Sequence, residues 1–283
     1  MAAIAFALGS SALWGLSDYL GGVKSRSFPV PVVLAAMYLS SLTFMALFVG
    51  ARGEGPPDAT AVSAALGAGL VGIVGLASLY RALAIGTMSI VAPITSTGVC
   101  IPVLVGLAAG DQPGSVRALG LALAVVGIVM ASREAGGGDV DSGRQRLSIL
   151  LAIVAGIGLG SYFVLAKIGS NGDVGWALVL SRVSALPLIG VFAYLALRRG
   201  GRRPRGRAIV VLAALGLLDL GANACYNHAT TIGELSTVAV ASSLYPVMTV
   251  TLAAALLGER VQGVQRVGVV AALAGVVMIA AGG

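Results

Sequence analysis

Charge is scarce in this chain. Asp, Glu, Lys and Arg make up 10% of its 283 residues, against roughly a quarter in a soluble domain, too little to cover a water-soluble surface. There are one histidine and two cysteines. Cys100 and Cys225 both lie inside apolar runs and form neither a metal-ligand spacing nor a disulfide framework, so no metal or other cofactor is expected. No GxxxxGK[ST] phosphate loop occurs, which excludes ATP hydrolysis by the chain itself. The longest connections, Arg133 to Leu147 and Arg198 to Arg207, are too short to hold a soluble catalytic domain. The convergent cluster of acid, base or metal ligands that an enzyme needs is missing, and no enzymatic activity is expected.

What the chain has instead is apolar length. Hydrophobic residues reach 58% and mean hydropathy is +0.98, the mark of a polytopic membrane protein. Glycine, at 41 residues, falls inside the apolar runs, as at Gly67, Gly69, Gly72 and Gly75, where small residues let helix backbones approach closely. The net charge of +7 comes from basic residues in short connections, as cytoplasmic loops require, so nucleic acid is not an expected partner. A span needs about 20 mostly apolar residues. Ten follow: 3 to 22, 29 to 50, 60 to 84, 87 to 109 and 114 to 132, then 148 to 168, 174 to 197, 208 to 231, 235 to 257 and 264 to 282.

The second half repeats the first about 147 residues later. Met88 to Ser96 reads MSIVAPITS and Leu235 to Ser243 reads LSTVAVASS; Gly110-Asp111, Gly120 and Gly127 match Gly258-Glu259, Gly268 and Gly275. The expected organisation is a first five-helix repeat over 1–132, a connection over 133–147 and a second repeat over 148–283. Five is odd, so the second repeat enters the bilayer from the opposite side. Inverted repeats predict an all-α integral membrane protein with a central cavity between the halves, where transporters place their site.

Several polar residues stand out against these spans. Asp18 shares a helical face with Ser11 and Trp14, and a carboxylate inside a hydrocarbon run normally faces a cavity or a partner. It reads as a carrier of protons or cations, or as an interfacial residue near its helix end. Asp219, Asn223, Tyr226, Asn227 and Thr230 form a second polar stripe, expected to line the cavity, with Asp219 either coupling an ion or pairing with Arg182. Arg182 sits deep in its span and requires a counter-charge, Asp18 or Asp219, unless it binds an anion. The only histidine, His228, falls half a turn round the helix from Asp219 and is expected at the interface. Pro93 and Pro246 should each interrupt a span. Around them Thr95, Ser96, Ser242, Ser243 and Tyr245 offer hydroxyls at corresponding places in the two halves, a pointer to a substrate site. Trp14, Tyr80, Tyr162, Tyr226 and Tyr245 are candidate aromatic walls.

The chain also resembles a family, the EamA-like branch of the drug/metabolite transporter superfamily. The resemblance rests on Trp14-Gly15 with Gly160 at the equivalent place, Arg182, Ser242-Ser243-Leu244-Tyr245-Pro246, and Leu257-Gly258-Glu259-Arg260. It departs at Gly110-Asp111-Gln112, where Glu-Arg would be typical, and at Pro102, three residues off the place of Pro246. It implies ten helices in two inverted repeats, and export or exchange of small organic metabolites such as amino acids or their analogues. The expected mechanism is alternating access, either coupled to protons or facilitative, by a monomer or homodimer in the plasma membrane. The alternative is a non-transporting membrane scaffold or sensor, which would have no polar stripes facing a shared cavity. The odd-numbered connections carry thirteen basic residues and the even-numbered ones two, Arg52 and Arg117. The positive-inside rule therefore places both termini outside, whereas the family resemblance suggests termini inside.

Overall fold

A hydrocarbon surround forces each apolar run to satisfy its backbone internally, and the result is all helix. A computed structural model describes residues 1–110, 114–131, 142–257 and 263–281. In chain order the helices are α1 (Ala2–Ser25), α2 (Val30–Arg52), α3 (Ala59–Ile85), α4 (Met88–Ser96), α5 (Cys100–Ala108), α6 (Ser115–Ala131), α7 (Ser142–Ser170), α8 (Val174–Arg198), α9 (Arg207–Ile232), α10 (Leu235–Ser242), α11 (Tyr245–Leu257) and α12 (Gly263–Ala281). Their boundaries have local causes. Asp58 opens α3 by accepting from the N–H groups of Thr60 at 2.8 Å and Ala61 at 3.0 Å, and those backbone bonds hold its carboxyl below the ordinary range. Asp173 opens α8 in the same way through the Trp176 N–H at 2.7 Å.

Two of the expected spans are not continuous. A turn of 3-10 helix, Thr97–Val99, separates α4 from α5, and Ser243 and Leu244 separate α10 from α11. The second break lies just ahead of Pro246, whose missing N–H costs nothing in the first turn of a helix. The first does not fall at Pro93, which stays within α4. It comes four residues later, so that Pro102 occupies the first turn of α5 as Pro246 occupies that of α11. Among the described residues, five helices are long and apolar enough to cross a bilayer by length and composition, namely α2, α3, α7, α8 and α9. The two broken spans fall short in length. The 24-residue α1 is long enough, but its serines and Asp18 make it too polar, while α6 has only 17 residues. The segments 111–113, 132–141 and 258–262, including Gly258-Glu259-Arg260, lie outside the described residues.

The packing has a pseudo-two-fold pattern. Helix α3 packs along α7 as α9 packs along α1; α3 meets α8 as α9 meets α2; α4 meets α11 as α10 meets α5; and α2–α8 and α6–α12 pair across the axis. Side chains repeat the pattern. The Tyr80 hydroxyl donates to the Ser17 carbonyl at 3.3 Å, and the Tyr226 hydroxyl donates to the Phe163 carbonyl at 3.0 Å. Ser184 on α8 donates to the Leu66 carbonyl of α3, and Ser40 on α2 donates to the Ala213 carbonyl of α9. At these crossings glycine is needed: a Cβ on Gly69 would lie 2.0 Å from the Ser181 carbonyl oxygen, and one on Gly216 would lie 2.3 Å from that of Met37.

The outer surface is apolar, with Phe44, Leu47, Phe48, Val191, Phe192 and Val210 all exposed, as a lipid-facing wall requires. The molecule is a multi-pass all-α membrane protein. Its two ends differ in charge. At one, Arg52 binds Asp173 at 2.8 Å and also Glu54, whose carbonyl accepts from the Trp176 indole. At the other, the connection between α8 and α9 brings Arg202 over the ring of Phe28, at the start of α2.

Candidate functional site

The apolar helices bury a polar centre. A cavity lies among seven of them, lined by Trp14 and Asp18 of α1, Tyr38 of α2, Gly69, Gly72 and Leu76 of α3, Leu159, Tyr162 and Phe163 of α7, Ser181 and Arg182 of α8, Asp219 and Asn223 of α9, and Tyr245 of α11. The space open to the centres of water molecules is about 40 Å³, room for about three waters, so the side chains nearly close over it.

Arg182 and Asp219 form its charged core. Their guanidinium and carboxylate meet at 3.1 Å, both almost wholly buried. Arg182 also donates to the Ser181 hydroxyl at 3.0 Å and lies 5.5 Å from the centre of the Tyr38 ring. This decides between the partners open to Arg182 in sequence: Asp219 is its counter-charge. Around the pair, the Asn223 amide donates to the Asp219 carbonyl at 2.6 Å, and the Tyr162 hydroxyl donates to the Asn223 side-chain oxygen. Asp18 is different. It is 4% exposed, lies two turns inside the end of α1 rather than at an interface, and has no hydrogen-bond or ion-pair partner among the described residues.

The pseudo-symmetry of the backbone does not extend to this chemistry. At the offset of about 146 residues that relates Tyr80 to Tyr226, the positions equivalent to Asp18, Asp219 and Asn223 hold Val164, Ile73 and Ala77, and at the offset of 144 that relates Ser40 to Ser184 the position equivalent to Arg182 holds Tyr38. A symmetric scaffold thus carries one asymmetric polar site.

Of the residues singled out in sequence, Trp14, Asp18, Tyr162, Arg182, Asp219, Asn223 and Tyr245 come together at the cavity. Others lie away from it. Tyr80 and Tyr226 are fully buried pins between helices. Thr95 donates to the Ala152 carbonyl at 3.4 Å, and Ser243 back-bonds to the Ala239 carbonyl at 2.7 Å. The Asn227 side-chain oxygen and the Ser242 hydroxyl are buried without hydrogen-bond partners among the described residues. The side chains of Pro93, Ser96 and Pro246 lie outside the described residues. His228 is exposed, edge-on to Phe6 at 4.7 Å. Lys167, near the end of α7, donates to the Thr230 carbonyl at 3.1 Å. Tyr38, Ser181 and Phe163 line the site without having been singled out. Tyr38 and Phe163 look like ordinary core or belt aromatics in sequence, and only the angle at which α2 and α7 cross their neighbours turns them inward.

Among the described residues no group of three or more His, Cys, Asp or Glu side chains could hold a metal ion. No curated protein matches the chain. One protein of known crystal structure superposes over 98% of both chains with a TM-score of 0.68 and 17% identity, a likeness of fold alone. The model of the EamA-like transporter family, whose members are transporters and not enzymes, matches residues 1–133 and again 146–281. The chain belongs to the EamA-like transporter family.

Proposed function

We propose that the protein is a secondary transporter that exports or exchanges small organic metabolites by alternating access, with Asp18 carrying the coupling proton. The observation that carries this reading is a small cavity lined by polar and aromatic side chains from helices of both pseudo-symmetric halves and containing a buried carboxyl without a partner among the described residues. Interfaces between repeats are where alternating-access proteins bind cargo, and rocking of one half against the other would open the cavity to each side in turn. Ten spans in two inverted five-helix units, 1–132 and 148–283, supply that motion. The broken segments α4–α5 and α10–α11 give loosened backbone at corresponding places, beside the first helix of each repeat. There a Cβ on Gly15 would lie 2.6 Å from the Tyr245 carbonyl, and one on Gly160 would lie 2.3 Å from the Gly98 carbonyl. A scaffold or sensor has no use for such a cavity. Amino acids and their analogues are the cargo class that the family resemblance suggests, and the plasma membrane is the proposed location.

The test is flux in proteoliposomes. Asp18→Asn should abolish accumulation driven by an imposed pH gradient. A variant that responds to the gradient as the parent does would remove Asp18 from coupling.

A further inference from the structure

Three charged side chains line the cavity, and two of them already answer each other. Arg182 is held by Asp219 at 3.1 Å, by the Ser181 hydroxyl at 3.0 Å and against the Tyr38 ring. The pair is close to neutral, and Asp18 is left as the one cavity carboxyl without a counter-charge among the described residues. Three of the neutral donors are committed as well. Tyr162 donates to Asn223, Asn223 to the Asp219 carbonyl, and Ser181 to the Leu178 carbonyl at 3.0 Å. A carboxylate or phosphate entering this space would meet the Asp18 carboxyl and a guanidinium already paired with Asp219, of which only the Nε–H is uncommitted among the described residues. A cation would meet the reverse: a carboxyl with no counter-charge beside aromatic side chains, with the Trp14 and Phe163 rings 5.4 Å apart and Tyr162 and Tyr245 lining the same cavity. Aromatic faces with a nearby anion are the surroundings that bind ammonium groups, because the ring quadrupole attracts a cation without hydrogen bonds.

We infer that the cavity selects small monovalent organic cations, primary to quaternary amines, with Asp18 as counter-ion and Trp14, Phe163 and Tyr245 as the aromatic wall. The inference rests on the transport reading above and replaces the amino-acid cargo that the resemblance suggests with organic cations. A zwitterion is disfavoured because its carboxylate would have to displace Asp219 from Arg182.

Binding can be read from the fluorescence of Trp14. The chain has two tryptophans, so Trp176→Phe isolates the signal in the full-length protein in detergent. At fixed ionic strength, choline and tetramethylammonium should give saturable changes at least about tenfold tighter than the neutral isostere 3,3-dimethylbutan-1-ol or the zwitterion glycine betaine, where tenfold corresponds to about 1.4 kcal/mol. Asp18→Asn should lose this preference and Asp18→Glu should keep it. If Asp18→Asn does not fold, Phe163→Leu tests the aromatic wall instead and should weaken tetramethylammonium more than methylammonium. Equal or tighter binding of the alcohol or the betaine, no saturable response to either cation, or an unchanged preference in folded Asp18→Asn protein would overturn the inference. Counterflow of an anionic or neutral metabolite without choline binding would overturn it and leave transport standing. Choline binding without flux of any metabolite would do the opposite.

Discussion

At the scale of single residues, the buried ion pair shows how far charge placement is constrained inside a membrane protein. Arg182 and Asp219 each exist at such depth only because the other is there: removing one partner leaves an unpaired buried charge, which typically costs about 3 to 5 kcal/mol, whereas replacing both with apolar residues of similar volume is often neutral. Arg182→Met and Asp219→Leu should therefore each lower the thermal midpoint in detergent substantially, and the double variant should regain most of the loss. Additive losses would show that the two side chains stabilise the fold through separate contacts. The pairing was half legible in sequence. An arginine deep in an apolar run announces that it needs a partner, but Asp18 and Asp219 answered equally well until α8 and α9 were seen to present Arg182 and Asp219 to each other.

At the scale of elements, the helix crossings depend on glycine. At Gly69 and Gly216 the nearest obstacle to a Cβ is a backbone carbonyl, of Ser181 and Met37 respectively, which cannot swing aside as a side-chain tip can. Gly69→Ala and Gly216→Ala should each destabilise the protein by about 1 to 3 kcal/mol or more, the usual penalty of overpacking. Gly9→Ala, where nothing stands within 4 Å, should be neutral or stabilising by up to about 1 kcal/mol from helix propensity. Thermal unfolding of the three variants in one detergent checks the contrast, and equal effects at all three sites would sink it. Span positions followed from hydropathy, but the breaks in two of them did not. Pro93 signals a break that occurs one turn later, because α4 keeps enough contacts with α7 and α11 to hold its helix through the proline.

At the scale of the whole molecule, orientation is the open consequence of the charge distribution. The end holding the α8–α9 connection carries Arg198, Arg199, Arg202, Arg203, Arg205 and Arg207, while the opposite end holds Glu54, Asp58, Asp173 and Glu234. Under the positive-inside rule the arginine-rich end stays in the cytoplasm, and both termini are outside. A reporter active only in the cytoplasm, fused after Gly283, should therefore be silent. Strong activity would reverse the orientation.

Sequence alone determined that the chain is a helical membrane protein, that it is duplicated, and that Arg182, deep in its span, needed a counter-charge or an anion. Each of these follows from composition or periodicity, because hydrocarbon penalises every exposed polar group wherever it stands along the chain. Only the tertiary structure decided which polar groups meet. Tyr80 and Tyr226 resemble Tyr162 and Tyr245 in sequence, yet the first two spend their hydroxyls on carbonyls of neighbouring helices while the second two border the cavity. The difference is a rotation of each helix about its own axis, set by close glycine contacts between segments far apart in the chain, and residue spacing within one helix carries no record of that rotation.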